Sequence, residues 1–391
     1  MTIAPTLTLA EAARRPWQVV VVGAGPAGAL AARELARLGR AVLLVDRAAF
    51  PRWKVCGCCL NGRALATLAA VGLADLPRRL GAVTLESVLV AARDCQARLR
   101  LPGGAALSRE AFDGALVRSA IGAGAAFLPQ TRAALGPVVA SGREIVLAHD
   151  GTTAAVMAAL VLAADGLGGR FLAGAADAPS AVSSRVGAGT MIDDAPDDFA
   201  SGCVHMACGT GGYVGLVRLE DGRLDVAAAF DRDAVRRAGG PGEAAVRILR
   251  DVGLPAVPSL TRLPWRGTPP LTRTASRLAC ERVLVLGNAA GYVEPCTGEG
   301  IAWALASAVA VAPLADRAAR QWHPSAVRRW AALHRRLVSG RQMTCRVVAA
   351  ALRHPRLTRA AIRVLGRLPG LAVPVIDRLN APPTFPRGAF P

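Results

Sequence analysis

The chain predicts an α/β fold, with a Rossmann-type dinucleotide-binding domain, an antiparallel β-sheet domain and C-terminal helices. Three observations carry this. A strand of four valines runs straight into Gly23-Ala-Gly25-Pro26-Ala27-Gly28 and then into a helical stretch. Short alternating runs between residues 186 and 231 read as an antiparallel sheet. A second strand–glycine–helix junction begins at Val283.

The first fifteen residues read as a loose tail or a short helix. Val19–Val22 is β-branched throughout and has the composition of a buried strand, and Ala29–Leu38 has that of a helix. Between them Gly23 allows a tight turn, Gly25 lets backbone approach a pyrophosphate, and Gly28 lets the helix pack on the strand. The helix start adds unpaired N–H groups and a partial positive charge. A second strand, Ala41–Val45, ends in Asp46, eighteen residues after Gly28, where a carboxylate accepts ribose hydroxyls. Arg47 follows it.

The stretch Phe50-Pro-Arg52-Trp-Lys54-Val-Cys56-Gly57-Cys58-Cys59 is the most unusual in the chain. Three cysteines in four residues invite a zinc reading, but zinc wants a second cysteine pair or histidines at matching spacing, and the five histidines stand singly. No metal is expected. Two readings remain open: small thiols packed as apolar side chains, or Arg52, Lys54 and Cys56 lining a cofactor or substrate. In the second, neighbouring cations would favour the thiolate. Lys54 is the chain's only lysine.

Asn61–Leu76 reads as a helix, and Val83–Val90 and Ala97–Leu101 as strands, with Pro-Gly-Gly turning the chain at 102–104. Ser108 is a candidate N-cap for a helix reaching about Ala120. Arg109 in its first turn opposes the helix dipole, which a nearby anion would explain and simple exposure would equally allow. Ala154–Ala164 passes for a helix by composition, although its end, running into Asp165-Gly166, reads as a strand. Val186–Ile192, Cys203–Ala207, Tyr213–Leu219 and Leu224–Phe230 form the predicted antiparallel sheet, with an Asp-Gly turn at 221–222. Gly242–Val252 is a short helix. Val283–Leu286 is again a buried strand, followed by Gly287-Asn288-Ala-Ala-Gly291, then Pro295-Cys-Thr-Gly298-Glu-Gly300, and a helix over Ile301–Ala312. A helix starting there aims fixed dipoles at whatever lies in front of it.

These junctions together resemble the flavoprotein superfamily of p-hydroxybenzoate hydroxylase, most closely its geranylgeranyl reductase branch. Members carry an N-terminal Gly-x-Gly-x-x-Gly, a mid-chain Asp-Gly, matched by Asp165-Gly166, and a late Gly-Asp-Ala-Ala-Gly continuing into Pro-x-Thr-Gly-Glu-Gly. The reductase branch adds Lys-Pro-Cys-Gly, and Lys54-Val-Cys56-Gly57 stands in that place. The match covers about residues 16–325. It implies an FAD-binding domain over 16–80, 105–178 and 270–325, a substrate domain over 81–104 and 179–269, and a C-terminal helical segment over 326–391. It places Asp46 on the adenosine ribose, Arg109 by the FAD pyrophosphate, Asn288 where the family has an aspartate, and Pro295 to Gly300 against the isoalloxazine. Cys56 and Gly57 lie beside the flavin on the substrate side. The implied cofactor residues are Gly23, Gly25, Pro26, Ala27, Gly28, Asp46, Arg47, Arg52, Gly57, Arg109, Asp165, Gly166, Gly287, Asn288, Pro295, Gly298 and Gly300. Lys54 and Cys56 are the catalytic candidates; Tyr213 and Arg218 are the substrate candidates. The family's Tyr-x-Trp-x-Phe-Pro is replaced by Tyr213-Val-Gly215-Leu-Val217-Arg218, which loses both large aromatics. The halogenase signature Trp-x-Trp-x-Ile-Pro is absent.

The resemblance implies an FAD-dependent oxidoreductase. One chemistry is hydride delivery to an unsaturated lipid-like or polyketide-like small molecule; the other is oxygen-dependent hydroxylation of an aromatic or polyketide. A non-catalytic flavin-binding or basic scaffold is the reading from another class. Only one glycine fingerprint opens the chain, so NAD(P)H is expected only as a transient electron donor.

The net charge of +19 is carried by arginine, and residues 313–391 hold fifteen arginines against two acids. Arginines 328, 329, 335, 336, 341 and 346 read as one broad helical face, a candidate for peripheral contact with anionic lipid or simply a solvated surface. No recognition motif accompanies the charge, so no nucleic-acid partner is expected. The odd count of nine cysteines is not a disulfide scaffold. With no secretory signal and no apolar run reaching the ~18 residues of a membrane span, the sequence reads as cytoplasmic, with lipid contact as its one link to a membrane.

Overall fold

The computed structural model describes residues 2–169, 171–172, 184–294 and 296–385. The elements that build the site begin with β1 (Trp17–Val22), α1 (Pro26–Arg37), β2 (Val42–Val45), β3 (Ser87–Ala92), β4 (Cys95–Arg100) and α2 (Arg109–Gly122). Then come β5 (Ala126–Leu128), β6 (Thr152–Ala163), β7 (Val186–Ile192), β8 (Cys203–Gly209), β9 (Gly212–Arg218), β10 (Leu224–Phe230) and α3 (Pro241–Asp251). β11 (Arg266–Pro270), β12 (Val283–Val285), α4 (Gly300–Arg320), α5 (Ser325–Ala351), α6 (Pro355–Arg367) and α7 (Val373–Asn380) complete them.

The parallel core of the first sheet runs β5-β2-β1-β6-β12, with the antiparallel strand Ala279–Cys280 beside β12 and two more, Arg132–Val139 and Gly142–His149, extending from β6. Its middle strand, β1, has Val19, Val20 and Val21 fully buried, as a strand covered on both faces must be. The order reverses between β1 and β6. Their carboxyl ends carry Gly23 and Asp165-Gly166, so ligand geometry is set at the topological switch point.

Ala154–Ala164, helix-like in composition, is strand throughout. The first half of β6 pairs with the antiparallel strand Gly142–His149, and the second half is inserted between β1 and β12. Pairing on both sides outweighs alanine's helix propensity. The predicted helix Asn61–Leu76 is shorter, spanning Gly62–Ala70, with Asn61 as its N-cap accepting from the Ala64 N–H at 3.0 Å. α4 runs past Ala312 and through Pro313 to Arg320. Near-complete burial of this helix outweighs the hydrogen bond that proline removes. Among the described residues α4 alone is long and apolar enough to cross a membrane, but 83% of its apolar window is buried inside the protein, which makes it a core helix.

The second sheet runs β11-β7-β10-β9-β8-β3-β4, with β8 and β3 the parallel pair. One face is covered by α3, whose Ala245, Ile248 and Leu249 pack with Val214, Leu216 and Val226. Directly opposed residues share a face. Register therefore puts Gly189, Met191, Tyr213, Gly215, Val217, Asp225 and Ala227 together on the other face. On that face Tyr213 clusters with Leu167, Tyr292 and Trp303, and Val217 with Cys58. Val55 closes one part of it, because a Cβ on Gly189 would stand 3.1 Å from a Val55 methyl.

The C-terminal helices wrap both sheets. α5 packs along α4, α6 lies on β4, and α7 ends at the helix Gly62–Ala70, where the Asn380 side chain accepts from the Gly62 N–H at 2.7 Å.

Candidate functional site

Two strand–glycine–helix junctions meet at the centre of the molecule. Gly23 has φ +102°, and a Cβ on it would lie 2.4 Å from the Ala164 carbonyl oxygen. A Cβ on Gly28 would lie 1.8 Å from the Gly23 oxygen. Both positions are closed to any side chain. Gly25 is different: a Cβ there would meet only the Arg52 guanidinium, at 3.8 Å. The backbone at Gly25 is thus open on the side where Arg52 waits, and α1 begins there with Pro26 at its first turn, followed by Ala27, and no side-chain cap. This is a cradle shaped for a pyrophosphate. From the other junction Gly287, at φ +57°, comes so close that a Cβ would stand 2.8 Å from the Ala27 methyl.

Asp46 at the end of β2 is buried. It accepts from the Ala24 N–H at 2.7 Å and the Ala48 N–H at 2.9 Å, tying the glycine turn to β2. A carboxylate accepts about four hydrogen bonds, so capacity for ribose hydroxyls remains. Arg47 beside it is exposed.

The two arginines share a fully buried carboxylate that sequence reasoning missed. Arg109 donates to Asp113 in bidentate fashion, at 2.9 and 2.7 Å, and Arg52 reaches it at 3.4 Å. Bidentate pairing fixes direction as well as charge. The i,i+4 spacing of Arg109 and Asp113 on α2 was the available signal. Lys54 stands over the other turn, its Nζ 3.2 Å from where a Gly166 Cβ would be. Burial, with the charges of Arg109 and Arg52, lowers its ammonium pKa to about 8. Asp165 itself accepts from the Phe171 N–H at 3.1 Å.

Cys56 stands where the three parts of the molecule converge. A hydrogen bond from the Cys58 thiol, joined by the Arg109 guanidinium, holds its thiol well below the usual range. Cys58 takes a left-handed backbone (φ 51°) that turns its side chain back toward Cys56. Bonding to Cys56, then burial, keeps the Cys58 proton in place. Gly57 between them is exposed, with open space where a side chain would be. From the second sheet comes Asp225, also missed from sequence. It is 1% exposed, receives no N–H or O–H hydrogen bond among the described residues, and faces Cys58. Burial, and then the Cys56 charge, raises its carboxyl pKa well above the ordinary range, which favours the neutral acid.

At the second junction Gly287 donates to Ser307 Oγ at 3.2 Å, and Asn288 stands half-buried in the turn Gly287–Ala290. Pro295 lies outside the described residues. Gly298 is left-handed at φ +69°, and Gly300 backs onto the Tyr292 ring, 3.2 Å from a built Cβ. Thr297 bonds the Cys345 sulfur at 2.9 Å, and buried Glu299 pairs with Arg341 at 3.0 Å, so α5 braces this loop.

The two substrate candidates separate. Tyr213 is buried on the inner face of the second sheet, with its hydroxyl unpartnered among the described residues and the Arg185 guanidinium 5.6 Å from the ring centre. Arg218 is a correction. Alternation along β9 turns it to the opposite face, where it donates to the carbonyls of Phe199 (3.1 Å) and Pro196 (2.8 Å) and fastens a loop. Arg341 likewise leaves the predicted arginine face of α5, turning inward to Glu299, while its five companions are exposed.

A family model described as an FAD binding domain matches residues 16–315. A menaquinone reductase of Mycolicibacterium smegmatis is 29% identical over 314 residues, 73% of each chain. Digeranylgeranylglycerophospholipid reductase 2 of Methanopyrus kandleri is 28% identical over 300 residues, again 73% of each. Among solved structures, a flavin-dependent brominase superposes with a TM-score of 0.76 at 16% identity, covering 94% of both chains, a likeness of fold. The cradle geometry fits the same cofactor, since closed glycines frame an open one with two anchored arginines in front. The chain therefore belongs to the FAD-binding-domain family, with the p-hydroxybenzoate hydroxylase-like fold, and is an FAD-dependent oxidoreductase.

Proposed function

We propose that the chain reduces a carbon–carbon double bond in an unsaturated, lipid-like small molecule. The observation that carries this is the line Asp225–Cys58–Cys56, a buried carboxyl with no N–H or O–H partner among the described residues, a buried thiol and a thiol held below its usual range, at the meeting of the FAD domain and the second sheet. The two reductase relatives, by their names, support the substrate class. Bound FAD, once reduced, supplies a hydride; NAD(P)H is the proposed donor that reduces it.

The chain's own residues supply the other half of the reduction. Asp225 gives its proton to Cys58 as Cys58 passes its own to Cys56, and Cys56 protonates the carbon adjacent to the one receiving hydride. One hydride and one proton are added across the double bond, and the carboxylate left behind recovers its proton from solvent. Lys54, with its ammonium pKa lowered to about 8, is a second proton source beside the same pocket.

The loss of both large aromatics from β9 favours a second reading, oxygen-dependent hydroxylation of a ring compound. One experiment separates the two. The purified protein is reduced anaerobically, and candidate quinones and prenyl lipids are added before oxygen. Reoxidation by the olefin without oxygen, giving the saturated product, supports the reductase. Reoxidation only on admission of oxygen, with labelled oxygen entering the product, overturns it in favour of hydroxylation. A protein that binds no flavin after FAD addition would overturn both.

A further inference from the structure

Ten large apolar side chains are exposed among the described residues, and eight of them lie between Met343 and Val375. Such residues are normally scattered singly over a surface. Here six fall on one continuous piece of chain, α6, the turn Pro369–Ala372 and α7. Leu357, Val364 and Leu368 recur at i, i+7 and i+11, one side of α6, and Leu371, Val373 and Val375 follow directly in the chain at 44–60% exposure. The opposite side of α6 is anchored. Thr358 and Ile362 are buried, Arg359 forms a bidentate pair with Asp94 at 2.7 Å, and a Cβ on Gly366 would stand 2.6 Å from the Gln96 carbonyl oxygen on β4. The helix is seated on its inner side and apolar on its outer one.

The charge beside this row is one-sided. Arg356, Arg367 and Arg378 are exposed, with Asp377 the single acid between 354 and 380. An apolar stripe bordered by arginines fits the boundary between lipid headgroups and acyl chains, where each cation near an anionic leaflet adds to the attraction. A second copy docked on the same patch would bring arginine against arginine, because a two-fold contact is self-complementary.

We infer that the outer face of α6, the Pro369–Ala372 turn and α7 docks on a bilayer surface containing anionic lipid. The inference stands apart from the substrate reading, although the two support one another. Residues 378–381 at the end of this face bond Arg341, which holds the loop preceding α4, so the docked face and the cofactor cleft are mechanically joined.

The test is flotation of the full-length FAD-loaded protein with phosphatidylcholine vesicles, with and without phosphatidylglycerol. The protein is expected to float with the mixed vesicles, to stay down with phosphatidylcholine alone, and to be released as salt is raised. The double variant Val364→Asp/Leu368→Asp is expected to lose vesicle binding at least tenfold with flavin content and melting temperature unchanged. Failure of the wild-type protein to float with the mixed vesicles overturns the inference, as does equal flotation by the double variant. A dimer in light scattering that the double variant abolishes would identify a second copy as the occupant and also overturn it. None of these readouts uses turnover, so their outcome is separate from that of the reductase assay.

Discussion

Arg341 on α5 donates to the buried carboxylate of Glu299 across 3.0 Å, and the same guanidinium donates to the backbone carbonyls of Arg378, Leu379 and Ala381. One side chain thus holds the loop that opens α4 and the end of α7 together. Removing it strands a buried acid, which in comparable settings costs about 3–5 kcal/mol. Arg341→Met is expected to lower stability by roughly 3 kcal/mol in denaturant titration, and adding Glu299→Gln should recover part of the loss. Equal stability of Arg341→Met and wild type would refute the brace.

The glycines of the first junction divide by what stands in front of them. Gly28→Ala collides with backbone at 1.8 Å, so the folded state should be lost or badly weakened in thermal melts. Gly25→Ala meets no protein atom nearer than 3.8 Å, so the apoprotein should melt as wild type does. Its FAD affinity should nonetheless fall, tenfold or more, because the methyl occupies the phosphate approach. Fluorescence titration with FAD reads the second outcome directly.

Cys56→Ser replaces a thiol held below its usual range with a hydroxyl that does not ionise at neutral pH. Flavin binding and anaerobic flavin reduction should persist. Substrate turnover should fall by roughly 100- to 10,000-fold, the range for losing a positioned general acid. Unchanged turnover would remove Cys56 from the chemistry.

Asp225 gives a pH signature with a definite sign. Its folded pKa is raised, so between the ordinary carboxyl range and that raised value the folded state holds a proton the unfolded state has lost. Stability from this group is therefore complete at low pH and declines as pH rises through the window. Asp225→Asn should show a flatter stability profile, gaining on wild type as pH increases toward the alkaline side. Its turnover should drop and lose pH dependence over the same range. Parallel profiles for the two proteins would show that Asp225 is ionised in the fold.

What the sequence revealed was local. A strand, a glycine turn and a helix start are neighbours in the chain, so Gly23, Gly25 and Gly28 announce their geometry, and Ser108 announces the helix it caps. What stayed hidden depends on which face of an element is covered. Asp225 lies in a strand whose alternation is masked because both faces are buried, so nothing distinguished it from the turn aspartates nearby. Asp113 looked like any acid on a helix until its two arginines were in place. Arg218 read as a substrate contact and Arg341 as part of a charged helical face, but alternation along a strand and rotation of a helix point both at backbone carbonyls. The helical composition of Ala154–Ala164 lost to neighbours contributed by distant segments.

The solitary lysine has a practical consequence. In a chain of 391 residues, Lys54 is the only side chain bearing a primary amine, and its lowered pKa makes it reactive near pH 8. With the chain's α-amine blocked first at lower pH, an amine-acylating dye has one side-chain target, beside the Gly166 turn. The emission of that dye would report, in the native protein, each arrival and departure of a molecule at the neighbouring turn.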